Sequence, residues 1–127
     1  MLKLLAVMTG GSIGAACRYL LFLTVQRLTG PSFPTGTLAA NLLGSFLIGL
    51  LWSLFEGSRL TNEWRLFIFT GFLGGFTTFS TFTRETAQLF KLGDWKAALI
   101  YTGISNIIGV TLVLAGYYVS RRYLISA

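Results

Sequence analysis

The chain is 127 residues long, 54% hydrophobic and 11% charged, whereas a soluble domain carries about a quarter charged residues and could not hide so much apolar surface at this size. Ten basic residues against four acidic ones give a net charge of +6, but no basic cluster exceeds the pair Arg121 and Arg122, so the excess reads as charge at membrane interfaces and not as a nucleic-acid surface. With no His and a single cysteine, Cys17, zinc sites, disulfides within the chain and His-based catalysis are excluded.

Residues 4–23 form the first predicted span, close to the roughly 20 apolar residues that a helix needs to cross a bilayer core. Gly10, Gly14 and Arg18 recur every four residues along it. The glycines predict close helix approach, and Arg18 either snorkels to the interface or draws anions to a pore mouth. Lys3 ahead of an apolar run, with Gly14, Ala15 and Ala16 following, resembles a cleavable leader. Apolar character resumes over Tyr19 to Leu23, however, so one retained span is expected. Cys17 reads as a small buried hydrophobe.

A connection at 24–35, with Gly30, Pro31 and Pro34, leads to an uncharged second span at 36–55. Here Thr37, Asn41 and Ser45 make one polar stripe, and Gly36, Ala40 and Gly44 make a small-residue stripe beside it. The small stripe permits close packing. The polar stripe either faces a conduit or hydrogen-bonds a neighbouring helix.

After 56–65 comes the third span, at 66–83 and continuing as helix to about 90. Its core reads Gly71-Phe72-Leu73-Gly74-Gly75-Phe76-Thr77-Thr78-Phe79-Ser80-Thr81-Phe82-Thr83-Arg84-Glu85. Paired glycines followed by β-branched threonines are poor helix formers, which predicts a break near 74–78. Irregular backbone at membrane depth survives only when buried in protein or lining a water-filled cavity. Its freed carbonyls can hold a cation, and half-helix N-termini can face an anion. Beyond the break, Phe79 and Phe82 share one face, while Thr77, Thr81 and Glu85 share another. The fourth span, 97–120, places Tyr101, Ser105 and Gly109 on a common face, with Thr102 and Asn106 beside them.

The whole chain is therefore read as one all-α, four-helix transmembrane domain with short connections. Its positive charges do not fix an orientation. Lys3, Arg59, Arg65, Arg121 and Arg122 fall on one side, and Arg18, Arg27, Arg84, Lys91 and Lys96 on the other. An even division removes the usual bias and allows insertion both ways, with assembly as an antiparallel pair through an isologous interface. Phe rings with hydroxyl and amide donors, and no central charge, suit a small, strongly hydrated anion met by positive ring edges.

At this point the sequence resembles the Fluc/CrcB family of small fluoride channels. The likeness rests on Gly11-x-x-Gly14-Ala15-x-x-Arg18-Tyr19, on Gly36-Thr37-Leu38-x-x-Asn41-Leu42-x-Gly44 and on the third-span motif quoted above, with Tyr101 and Ser105 fitting more weakly. The resemblance implies a dual-topology antiparallel homodimer in the inner (plasma) membrane. It would carry two pores that pass fluoride passively out of the cytoplasm to relieve toxicity. Phe79 and Phe82 would form an aromatic box, and Asn41 would reach into the pore. Thr81 and Glu85 would continue the polar track, Tyr101 and Ser105 would line the fourth-helix side, and Arg18 would sit at or near the vestibule. The backbone carbonyls of Gly74 and Thr77 would bind a structural sodium ion at the dimer centre. Gly109 stands where relatives often carry a hydroxyl. The alternative is a small dual-topology proton-coupled multidrug exporter, which needs a membrane-embedded carboxylate. The four acids, Glu56, Glu63, Glu85 and Asp94, are all read near span ends or in connections.

Overall fold

The computed structural model describes residues 1–125, and every regular element among them is helical. Helix α1 is Leu2–Thr29 and α2 is Thr35–Phe55. The third membrane-length helix, Asn62–Lys91, comes in two pieces, α3 (62–76) and α4 (Phe79–Lys91). Helix α5, Trp95–Ile125, is the fourth. Each of the four spans is long and apolar enough to cross a membrane, as the sequence predicts.

The helices outrun their apolar windows, because a backbone ladder continues through polar residues at the membrane surface where hydropathy has already fallen. Helix α1 passes Gln26 and Arg27 before the Gly30 N–H closes it on the Gln26 carbonyl. Between α4 and α5 only Leu92, Gly93 and Asp94 remain outside helix, and the Asp94 carboxylate caps α5 by accepting the Ala97 N–H at 3.2 Å. At the other end, Arg65 donates to the carbonyls of Phe55 (3.3 Å) and Ser58 (3.1 Å), placing a cation at the negative end of α2.

Helix α1 lies along α3, and α2 lies along α5. Both seams depend on backbone touching backbone. A methyl group on Gly14 would overlap the Phe72 carbonyl, and one on Gly49 would overlap the Val113 carbonyl. Without a hydrophobic force between helices in lipid, this closeness supplies the dispersion contact that associates them. Cys17, expected to be buried, is only partly so. Large apolar side chains such as Ile13, Leu20, Leu99, Ile107 and Leu114 face outward, toward the region that acyl chains occupy. Trp64 and Trp95 stand exposed at the starts of α3 and α5, the positions of an interfacial aromatic belt.

The predicted break is present, and it falls on the threonines. Gly74 remains helical at φ −63°, ψ −38°, while Thr77 (φ −96°, ψ 157°) and Thr78 (φ −149°, ψ 120°) are extended. Three helical stretches are also widened to π geometry, Leu66–Leu73 within α3 and both Ile104–Ile108 and Ser120–Ile125 within α5. In the first, the Gly74 N–H reaches back five residues to the Phe69 carbonyl.

Replacing Gly49 with Val tests the α2–α5 seam. Overpacking of this kind costs about 1–3 kcal/mol, so the melting midpoint in detergent should fall clearly. A midpoint equal to that of the parent chain would contradict the backbone contact described.

Candidate functional site

Breaking a helix in a low-dielectric environment strands peptide groups, each of which must find a partner. In an unbroken helix the Thr78 N–H would donate to Gly74. Here it donates to Asn41 Oδ1 at 2.8 Å, and Asn41 Nδ2 returns a hydrogen bond to the Thr78 carbonyl at 3.0 Å. One amide side chain from α2 thus replaces both halves of a missing ladder rung. Thr77 ends α3 by directing its N–H (3.0 Å) and its hydroxyl (2.8 Å) to the Leu73 carbonyl. Thr78 opens α4 as N-cap, accepting the Thr81 N–H at 3.2 Å and donating its hydroxyl to Thr81 Oγ1 at 3.1 Å. From α1, Arg18 Nε donates to the Gly75 carbonyl at 3.0 Å, so its cation sits at the C-terminal end of α3 where the dipole favours it.

Beside the break lies an open cleft of about 380 Å³, lined by residues of α2, α3, α4 and α5. It brings together six positions singled out in the sequence: Asn41, Gly74, Thr77, Phe79, Phe82 and Ser105. The Phe79 and Phe82 ring centroids are 5.8 Å apart, tilted at 46°. Phe82 is 8% exposed and Phe79 is 76% exposed, so one ring is fixed in the protein and the other stands free at the mouth. Ser45 spends its hydroxyl on the Asn41 carbonyl at 2.8 Å. The Ser105 hydroxyl, by contrast, is buried with no hydrogen-bond partner.

Thr81, Glu85, Tyr101 and Arg18 are not on this cleft. Arg18 and Thr81 instead border a smaller hollow of about 280 Å³ with Thr37, Tyr19 and Phe22. Glu85 is held from two sides: Thr37 Oγ1 donates to its Oε1 at 2.6 Å, and the Tyr101 hydroxyl donates to its Oε2 at 3.4 Å. The Tyr101 ring meets Phe82 edge to face, at 5.1 Å and 90°, which joins the carboxylate cluster to the cleft. Glu85, read from sequence as lying near a span end, is in the interior of α4 and partly buried, because the helix resumes after the break and carries it inward.

Three participants were not assigned as site residues from the sequence. Thr78 belongs to the third-span motif, and its neighbour Thr77 was chosen in its place. Thr37 shares the polar stripe of Asn41, which was the available signal. Asn106 lines the cleft beside Ser105; its place next to the Tyr101 and Ser105 face of the fourth span was the available signal.

Chemically, the cleft offers hydrogen-bond donors, ring edges and backbone carbonyls. No cluster of three or more His, Cys, Asp or Glu side chains suited to a metal exists among the described residues. Gly74 faces the cleft, and its carbonyl has lost its helical donor to Asn41.

Comparison with known proteins places the chain in a family. Residues 5–117 match the family described as "CrcB-like protein, Camphor Resistance (CrcB)". The chain is 43% identical over 122 residues to the "Fluoride-specific ion channel FluC" of Desulfotalea psychrophila, covering 96% of this chain and 94% of that one. It is 45% identical over 124 residues to the protein of the same name from Agrobacterium fabrum, covering 96% and 98%. With the Salinibacter ruber protein of that name the identity is 47% over 116 residues, covering 91% and 87%. The chain belongs to the CrcB family.

Asn41→Ala leaves the Thr78 N–H and carbonyl without their partner. The cost of a buried unsatisfied group is about 1–3 kcal/mol, so the detergent melting midpoint should drop. Asn41→Asp, which keeps the acceptor and loses the donor, should fall between Ala and the parent. Equal midpoints for all three proteins would show that the amide does not brace the break.

Proposed function

We propose that this chain is a passive fluoride channel of the inner membrane, and not an enzyme, working as an antiparallel dual-topology homodimer with two pores. The observation that carries the reading is the convergence of Phe79, Phe82 and the unpartnered Ser105 hydroxyl on one cleft beside a broken membrane helix, in a chain whose relatives are named for fluoride conduction.

Fluoride holds its hydration shell tightly, so a channel must substitute for lost water without trapping the ion. The ring edges of Phe79 and Phe82 supply weak positive potential with no fixed charge. The Ser105 hydroxyl supplies a donor that no protein group already uses. Beyond the cleft, across the Phe82–Tyr101 ring contact, the Thr81 hydroxyl and the Glu85–Tyr101 pair would extend a polar track along α4, and Arg18, which borders the hollow beside Thr81, would add positive potential there. Donors that are weak individually but arranged in series satisfy the requirement that an ion bind well enough to enter and loosely enough to leave. Export follows from the gradient, since nothing in this arrangement couples flux to a second substrate. The exporter alternative gains nothing from the kinship.

The residues at the break fit a structural sodium ion. The Gly74 carbonyl has lost its helical donor, and Thr77 is extended where α3 ends, giving the unwound carbonyl oxygens that hold such ions in broken membrane helices. Gly74 and Thr77 would bind it through those oxygens at the dimer centre, with the partner copy repeating the set. When bound, the ion would supply a fixed positive charge to those carbonyl oxygens. The even division of positive charge between the two sides supports antiparallel insertion.

Liposomes containing the purified protein should release fluoride down its gradient and retain chloride. Equal leakage of both anions, or none, would overturn the channel reading. Phe82→Ile and Phe79→Ile should each abolish fluoride release while the protein still elutes as a dimer, and undiminished release would return both rings to packing. Sodium should raise the melting midpoint of the dimer relative to a large organic cation, and indifference to the cation would sink the sodium site.

A further inference from the structure

The connection between α1 and α2 is clasped by Gln26, beside a hydrogen bond between the Thr29 and Thr35 hydroxyls. Gln26 Nε2 donates to the carbonyls of Gly30 (2.5 Å) and Phe33 (3.2 Å), and Gln26 Oε1 accepts the N–H of Gly36 at 3.2 Å. The last turn of α1 is thereby tied both to the loop and to the first turn of α2. What the loop presents inward is Phe33, partly buried against the cluster of Phe82, Leu89, Ala98 and Tyr101. The Phe33 and Tyr101 centroids are 5.5 Å apart at 57°, Tyr101 and Phe82 are 5.1 Å apart at 90°, and Phe82 and Phe79 are 5.8 Å apart at 46°. Four rings therefore form one column from the surface loop to the cleft. Tyr101, fully buried, has one ring neighbour on the loop side and one on the cleft side. Only Phe33 closes the column at its outer end.

We propose that Phe33, clasped by Gln26, is a positioning residue for the fluoride pathway: through Tyr101 it fixes the orientation of the Phe82 ring edge. The inference rests on the reading of Phe82 as part of that pathway. The edge of a ring carries positive potential and its face negative potential, so a Phe82 ring free to turn would alternately attract and repel the anion. A buried ring keeps one orientation only while its neighbours fill the space around it. Phe33 acts at a distance, since it does not line the cleft.

The test uses the full chain in liposomes, with fluoride release read by electrode and folding read by the detergent melting midpoint. Phe33→Leu keeps apolar bulk and removes the ring. Phe33→Tyr keeps the ring in a loop where its hydroxyl can reach water. Gln26→Glu keeps the acceptor for Gly36 and removes the donor to Gly30 and Phe33. Phe33→Leu and Gln26→Glu should each slow fluoride release about tenfold, the rate equivalent of losing one aromatic pair. Phe33→Tyr should conduct as the parent does, with midpoints close to the parent's for all. The double variant Gln26→Glu with Phe33→Leu should be no slower than either alone, because both act through one contact. Full-speed release by Phe33→Leu, or equal loss of rate and midpoint in Phe33→Leu and Phe33→Tyr, overturns the proposal. Phe82→Ile is the control on the premise. If it abolishes release while Phe33→Leu releases fluoride at the parent's rate, the buttress fails and the pathway stands. If Phe82→Ile conducts normally, the pathway reading fails first and takes the buttress with it.

Discussion

Everything about the site follows from the need to satisfy peptide groups where the third membrane helix is interrupted. Water can serve such groups in a soluble loop, but the membrane interior offers no water except in a cavity. The chain meets the requirement with side chains from two other parts of the sequence and one from the break itself. Asn41 on α2 takes the N–H and carbonyl of Thr78, Arg18 on α1 takes the carbonyl of Gly75, and Thr78 caps the helix that follows. The Asn41 and Arg18 bonds are also cross-ties, so the break fastens α1 and α2 to the interrupted helix. An interruption that ought to weaken the bundle becomes a point where it is pinned.

Those cross-ties work only because the helices are already close. Gly14 on α1 and Gly49 on α2 let backbone meet backbone, and that spacing sets the reach of the side chains between the seams. Asn has a short side chain, so its amide spans to Thr78 only if α2 sits against the broken segment. Gly44, one turn along from Asn41, faces the Thr77 methyl and the Phe76 ring, which a side chain would displace. The small stripe and the polar stripe of α2 are thus two parts of one device: the first brings the helix in, and the second makes use of the proximity.

Much of this was legible in the residues. Runs of uncharged apolar sequence gave the four spans, and glycines followed by β-branched threonines gave the break, although the glycines stay helical and the threonines are what extend. Chain length and hydropathy could not show that Glu85 is drawn into the interior, because its carboxylate is held by Thr37, distant in sequence, and by Tyr101 on the next helix. Nor could they show the widened turns. Ser105 and Asn106 both lie in the widened stretch Ile104–Ile108 and both line the cleft. Of the two readings open for the polar stripe, a conduit or a bond to a neighbouring helix, the Asn41 amide is committed to the Thr78 backbone. Periodicity says which face a residue occupies, but only the neighbouring helix decides whether its amide is committed or free.

That last distinction separates scaffold from pathway. A polar group already bound to protein has little left to offer a passing ion, since an anion would have to break the existing bond at the cost of a buried unsatisfied partner. Asn41 is engaged at both ends and Ser45 is spent on the Asn41 carbonyl; these groups set shape. Ser105 has no partner, and the exposed Phe79 ring sits at the mouth of the same cleft; these groups are free to act on an ion. An anion route assembled from unspent donors and ring edges places no charged side chain on the cleft itself. It therefore avoids both the desolvation cost of such a charge and the tight binding that would stop conduction. The committed bonds of the break thus hold the uncommitted groups in place, which is why a helix interruption and a weak anion site occur together in this fold.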